Sequence, residues 1–221
     1  MASVAGLLDW VAAVLDAVGR ALVLDSSLLV HAQDPGFLSI AAGVALLAGV
    51  MTMVGHSVIL FVNGVSGFRF GLALLGTGLW TVFLYGLQGV VVGLAAGLVL
   101  DAQPPWWQVL SLVLVSSAPL CFGFLILLPY SGPAIGRVLE LWSFVVMMVA
   151  VDAVFGVSAW TALLLTGVGW LAKQAVARLV AGPLGWVVSR AWRLVTGRPA
   201  LISARDVLAG HPFVDVVGPA S

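Results

Sequence analysis

Apolar residues run along this chain in blocks too long for a half-buried strand or a one-sided soluble helix, and short breaks rich in proline, glycine and charge separate them. The breaks predict five membrane-crossing helices. The first runs from about Gly36 to Val62 and the second from Phe70 to Leu100, joined by the glycine-bearing turn Asn63–Arg69. Asp101–Trp107, with Pro104, Pro105 and paired tryptophans, closes the second block at head-group level. A third span follows from Gln108 to about Leu128, kinked at Pro119. The turn Pro129–Pro133 opens a fourth, which ends before a break at Asp152–Ser158. The fifth, Ala159–Leu171, is short unless Lys173 snorkels at its end.

Two flanking regions follow a different pattern. Residues Ser3–Leu24 show helical periodicity, with Val4, Leu7, Val11, Leu15, Val18 and Leu22 on one face and Asp9, Asp16 and Arg20 opposite. This predicts an amphipathic helix lying at the interface or against the bundle, followed by the linker Asp25–Pro35. It does not read as a signal peptide, because a basic leading segment is missing and the two aspartates interrupt the apolar stretch. From Ala172 the tail is expected to be two amphipathic pieces divided at Gly182-Pro183. Lys173, Arg178, Trp186, Arg190, Trp192 and Arg193 would form an interfacial anchor there, and residues from Pro199 onward a loosely ordered end. The domain reading is therefore 1–35, 36–171, 172–198 and 199–221.

Composition agrees with lipid as the solvent. Of 221 residues 62% are hydrophobic and 8% charged, with a mean hydropathy of +1.18, which leaves too little polar surface to cover a soluble globule. The expected fold class is an all-α, polytopic helix bundle. Nine basic and nine acidic residues balance, so there is no electrostatic footprint for nucleic acid. The single cysteine, Cys121, offers neither a disulfide framework nor a metal-binding pair, and no cofactor is implied.

Polar groups inside the blocks are few. Arg137 and Glu140, three apart, share a helix face where an ion pair would lower the cost of holding both near the membrane. Gly89, Gly93 and Gly97 repeat every four residues and would let a second helix backbone approach, either within the chain or in a homodimer. His56 and Ser57 are adjacent, hence about 100° apart on a helix, so they cannot act together as base and nucleophile. No paired acids and no HExxH helix occur, and an enzyme is not expected. A transport path could draw only on His56, Gln88 and Glu140.

The turn at Pro129, Tyr130, Gly132 and Pro133, the helix opened by Leu141-Trp142-Ser143, and Gly156-Val157-Ser158 with Ala162-Leu163 together resemble the Yip family, the Ypt/Rab-interacting membrane proteins, in its bacterial branch. Gly55–Leu75 is similar to the corresponding earlier part. The resemblance implies a compact five-helix, non-enzymatic membrane protein whose partners are the bilayer and other membrane proteins. The trafficking role of eukaryotic members is not implied. Charge sorting places Arg69, Arg137 and the basic tail on one side of the membrane, against Arg20, Asp101 and Asp152 on the other. That predicts a cytoplasmic C-terminus and an extracytoplasmic N-terminus, opposite to the arrangement of the eukaryotic family members. The favoured role is a scaffold or membrane-organising component; the alternative is a small-solute or ion transporter using Glu140 and His56.

Overall fold

A computed structural model describes residues 4–25, 28, 31–55, 68–100, 105–128 and 130–196, with the side chains of 4, 5, 68, 69, 73 and 181–196 outside the description. All regular structure among these residues is helical: α1 (Val4–Leu22), α2 (Phe37–Gly55), α3 (Phe68–Val99), α4 (Trp106–Val115), a 3₁₀ segment (Ala118–Leu127), α5 (Gly132–Phe155) and α6 (Ala159–Thr196). Five stretches are long and apolar enough to cross a bilayer, namely Phe37–Gly55, Phe70–Val99, Trp106–Leu127, Gly132–Phe155 and Ala159–Val180. The protein is an integral, multi-pass membrane helix bundle.

The third span is the centre of that bundle. Its residues are 61% buried, against 22% for the fourth and fifth spans, and it is the one that is not a continuous α-helix. The expected kink at Pro119 is instead a change of helix type that begins earlier. Ser116 and Ser117 turn their hydroxyls back onto the chain, donating to Val113 O at 2.6 Å and Leu114 O at 2.7 Å. Those bonds compete with the α-helical ladder, Pro119 supplies no N–H, and the chain continues as ten residues of 3₁₀ helix. Trp106 and Trp107, expected in the connecting segment, open α4 behind Pro105.

Around this centre α2 packs against the 3₁₀ segment, α3 and α4, while α6 packs against α3 and α5. The α2–α3 contact is made by backbones. A Cβ on Gly49 would lie 2.7 Å from Gly78 Cα and from Thr77 O, so the helices touch where both side chains are hydrogen. Lipid supplies no hydrophobic drive between helices, and close packing of this kind does the holding.

The flanking elements differ from expectation in two respects. Helix α1 forms and lies against the bundle, but the residues it buries are Val14, Ala17, Val18 and Ala21, with Trp10 packed beside them. Of the expected apolar face, Val18 is buried, whereas Leu7, Val11 and Leu15 point outward together with Leu8. The helix thus carries an apolar arc wide enough to meet protein on one half and lipid on the other, with Asp16 and Arg20 paired at 2.7 Å on its polar edge. At the other end, α6 is a single helix of 38 residues, so the expected stop at Leu171 and the division at Gly182-Pro183 do not occur. The boundary expected at 171/172 falls inside it. The break before α6 is also shorter than expected. Gly156, at φ +61°, caps α5 in the left-handed region, and Ser158 Oγ accepts the Thr161 N–H at 3.3 Å as the next helix starts.

Candidate functional site

Lys173, expected at the end of the fifth span, lies inside the continuous helix α6. It is only 7% exposed, and its Nζ sits 4.1 Å from the centroid of the Tyr85 ring on α3. The aromatic face offers the ammonium a partner within the bundle, so the charge needs no route to the head groups. Lys173 was expected as an interfacial anchor; it is a core residue, about 10 Å inside the end of the apolar stretch Ala159–Val180 at ~1.5 Å rise per residue. Among the described residues it forms no ion pair.

Tyr85 and Lys173 belong to a longer line of polar groups. Gln88, one turn along α3 from Tyr85, is 2% exposed and donates through Nε2 to Met147 Sδ on α5 at 2.8 Å. Thr166 on α6 and Ser143 on α5, at 0% and 4% exposure, are buried too. Tyr85 Oη, Gln88 Oε1, Ser143 Oγ and Thr166 Oγ1 have no hydrogen-bond partner among the described residues. The register that aligns them is set by Gly169. A Cβ there would lie 2.5 Å from Val92 Cγ2 and 3.3 Å from Gln88 O, so α6 presses onto α3 at this point, with Lys173 one turn further along facing Tyr85. Thr166, Gly169 and Lys173 fall on one face by their i, i+3, i+7 spacing, as Tyr85, Gln88 and Val92 do on the other helix.

Of these residues Gln88 and Lys173 stood out in the sequence, Lys173 in a different role. Tyr85, Ser143 and Thr166 are individually unremarkable as polar groups in apolar runs; the signal that would have found Tyr85 and Thr166 is their helical spacing from Gln88 and Lys173 on two facing helices, whereas Ser143, on α5, has no such signal. Such groups in a bilayer are costly unless partnered, which makes the line a functional candidate in itself.

A second feature lies on the outside of the α5–α6 hairpin. Arg137 and Glu140 line a groove of about 480 Å³ with Leu141, Phe144, Gly167, Trp170 and Leu171. Phe144 and Trp170 close its base edge-on, ring centroids 6.5 Å apart. Both charged residues are exposed. The ion pair expected between them is not formed, and the single ion pair among the described residues is Arg20–Asp16. Arginine N-terminal to glutamate is the weaker orientation on a helix, which opposes the alignment of the macrodipole.

The glycine stripe divides along its length. Gly89 abuts α4, where a Cβ would come 2.8 Å from Leu110 Cδ2, and at Gly93 the nearest atom is Val109 Cγ1 at 3.9 Å. With Gly97 they line an open groove of about 590 Å³ that also includes Leu94, Leu98, Trp106 and Phe155. Of the turn residues, Tyr130 is fully exposed at φ +66°, and Gly132 and Pro133 begin α5. Arg178 is exposed on α6. Pro129 and His56 lie outside the described residues, as do the side chains of Trp186, Arg190, Trp192 and Arg193, whose backbone continues α6. No protein-family model, no curated protein and no solved structure matches the chain.

Proposed function

We propose that the protein is a non-enzymatic membrane component that works by assembling with other membrane proteins in the plane of the bilayer. One observation carries this reading: Arg137 and Glu140 face out of the bundle into a lateral groove instead of inward to a path. Charges at a lipid-facing surface are expensive, and a neighbouring protein removes the cost that lipid imposes. The resemblance of the sequence Pro129, Tyr130, Gly132 and Pro133 to the Yip family is a proposal of the same kind and adds the expectation of a bundle without catalytic groups. The basic residues further suggest a cytoplasmic C-terminus, since five alternating spans carry Arg137 and Arg178 to one end.

Photo-crosslinking in native membranes tests the reading. A crosslinker at Leu141, in the groove, should give discrete protein adducts, and one at Phe83, exposed on α3, should not. Lipid adducts alone at both positions would overturn it.

A second reading, movement of a small solute or ion, is favoured by the buried, carboxylate-free Lys173 over the Tyr85 ring and by the unpartnered buried oxygens of Tyr85, Gln88, Ser143 and Thr166. It shifts the expected carriers from Glu140 and His56 to Lys173 and Gln88. Flux in proteoliposomes that disappears in Lys173→Met, with the bundle still folded, would favour it over assembly.

A further inference from the structure

We propose that the α5–α6 groove is the contact between two copies of this chain, Arg137 of each protomer bonding to Glu140 of the other. The proposal rests on the assembly reading above and names the partner. Glu140 is the ninth residue of α5, about 12 Å along the helix axis from Gly132 at ~1.5 Å per residue. Helix α5 is about 36 Å long on the same rise, against a hydrocarbon thickness of ~30 Å, so with the helix centred across that layer Glu140 falls inside it while exposed at the protein surface. Arg137, one turn nearer the end, has a stem long enough to reach the head groups; the glutamate does not. Glu140 therefore needs a cation that its own protomer does not provide at ion-pair distance among the described residues.

The charge pattern says which partner supplies it. A patch with one cation and one anion, three residues apart on a single helix face, is complementary to itself about a two-fold axis along the membrane normal. That axis sets equal depths opposite each other, and the ~4.5 Å axial offset between positions 137 and 140 is within reach of an arginine side chain. Around the charges the groove is apolar, lined by Leu141, Phe144 and Leu171, so a reciprocal pair there is screened from water. Nothing lies within 4 Å of a Cβ built on Gly167, which leaves space for a side chain from the facing helix. A zwitterionic phospholipid is the competing occupant of the same groove.

Four full-length variants in lipid nanodiscs or vesicles, with differently tagged copies and fluorescence energy transfer between protomers, decide it. R137E and E140R should each weaken the homodimer by about tenfold or more, because each leaves like charges facing across the axis. The double swap R137E/E140R should restore it. R137E mixed with E140R should form a heterodimer, an outcome that a pair within one chain cannot produce and that requires both variants to be folded. All variants associating equally, or all remaining monomeric with phospholipid retained in native mass spectrometry, would overturn the proposal. Monomeric variants alongside a different protein crosslinked at Leu141 would remove this inference and leave the assembly reading standing; no protein adduct at Leu141 would remove both.

Discussion

Lys173 Nζ stands 4.1 Å above the Tyr85 ring, joining α6 to α3 through a cation–π contact inside the apolar bundle. A desolvated contact of this type contributes about 2 kcal/mol, and it is the means by which an isolated ammonium is kept between two helices. Tyr85→Phe should retain it and also remove a hydroxyl without a described partner, leaving stability within about 0.5 kcal/mol of the parent. Tyr85→Leu should cost about 1–2 kcal/mol. In the Lys173→Met background, where the cation is replaced by an apolar chain of similar reach, the Tyr85→Leu loss should shrink. Reversible unfolding in detergent–lipid mixtures measures the cycle, and equal losses in both backgrounds would show that the ring packs without sensing the charge.

The α3–α6 register depends on the absence of a side chain at Gly169. Its Cβ would sit 2.5 Å from Val92 Cγ2, a separation that neighbouring atoms do not tolerate, with Gln88 O close behind. Gly169→Ala should therefore destabilise the bundle by about 1–3 kcal/mol despite the better helix propensity of alanine. Adding Val92→Ala should recover part of the loss by removing the nearest obstructing atom. No recovery would place the obstruction at the Gln88 backbone instead.

The glycine stripe makes a graded prediction. Gly89→Ala meets Leu110 Cδ2 at 2.8 Å, the far end of a flexible side chain, so a modest loss of up to about 1 kcal/mol is expected. Gly93→Ala meets nothing nearer than 3.9 Å and should be neutral or stabilising by up to about 1 kcal/mol through helix propensity. Thermal unfolding of the two single variants orders them. A larger loss at 93 than at 89 would mean that the open groove is filled in the membrane by a closely fitting neighbour.

How much of this was legible beforehand follows from the range of each effect. The spans of α2, α3 and α5 were readable because hydrophobic length is a local property that a bilayer enforces. The burial of Lys173 within α6 was not, because the ring it lies over, Tyr85, is 88 positions away in sequence. The change to 3₁₀ geometry was half visible: Pro119 marked the place, whereas the two serine side-chain bonds before it depend on local rotamers. For the candidate site, the Arg137–Glu140 spacing was plain but its direction was not, since a single helix face carries no label saying whether it meets protein or lipid. Gly49 and Gly169, where a Cβ would meet a facing helix more closely than at Gly89, have no four-residue repeat to announce them.

Helix α1 provides a test of where lipid begins. Its inner face packs Trp10 and Val14 over Gly43 of α2, and its outer face presents Leu7, Leu8, Val11 and Leu15. Apolar side chains in that number would be an aggregation liability in water, and they are expected to sit in the acyl layer with Asp9 and Asp16 at the aqueous edge. The Asp16–Arg20 pair itself is largely exposed, so Asp16→Asn should change stability by less than about 0.5 kcal/mol. Single cysteines placed in a Cys121→Ala background separate the faces. Those at Leu8 and Leu15 should resist a membrane-impermeant maleimide in vesicles, and one at Asp9 or Asp16 should react. Detergent should then expose the first pair. Equal labelling of all four positions before detergent would mean that α1 stands clear of the bilayer, and its outer leucines would then need a protein partner instead of lipid.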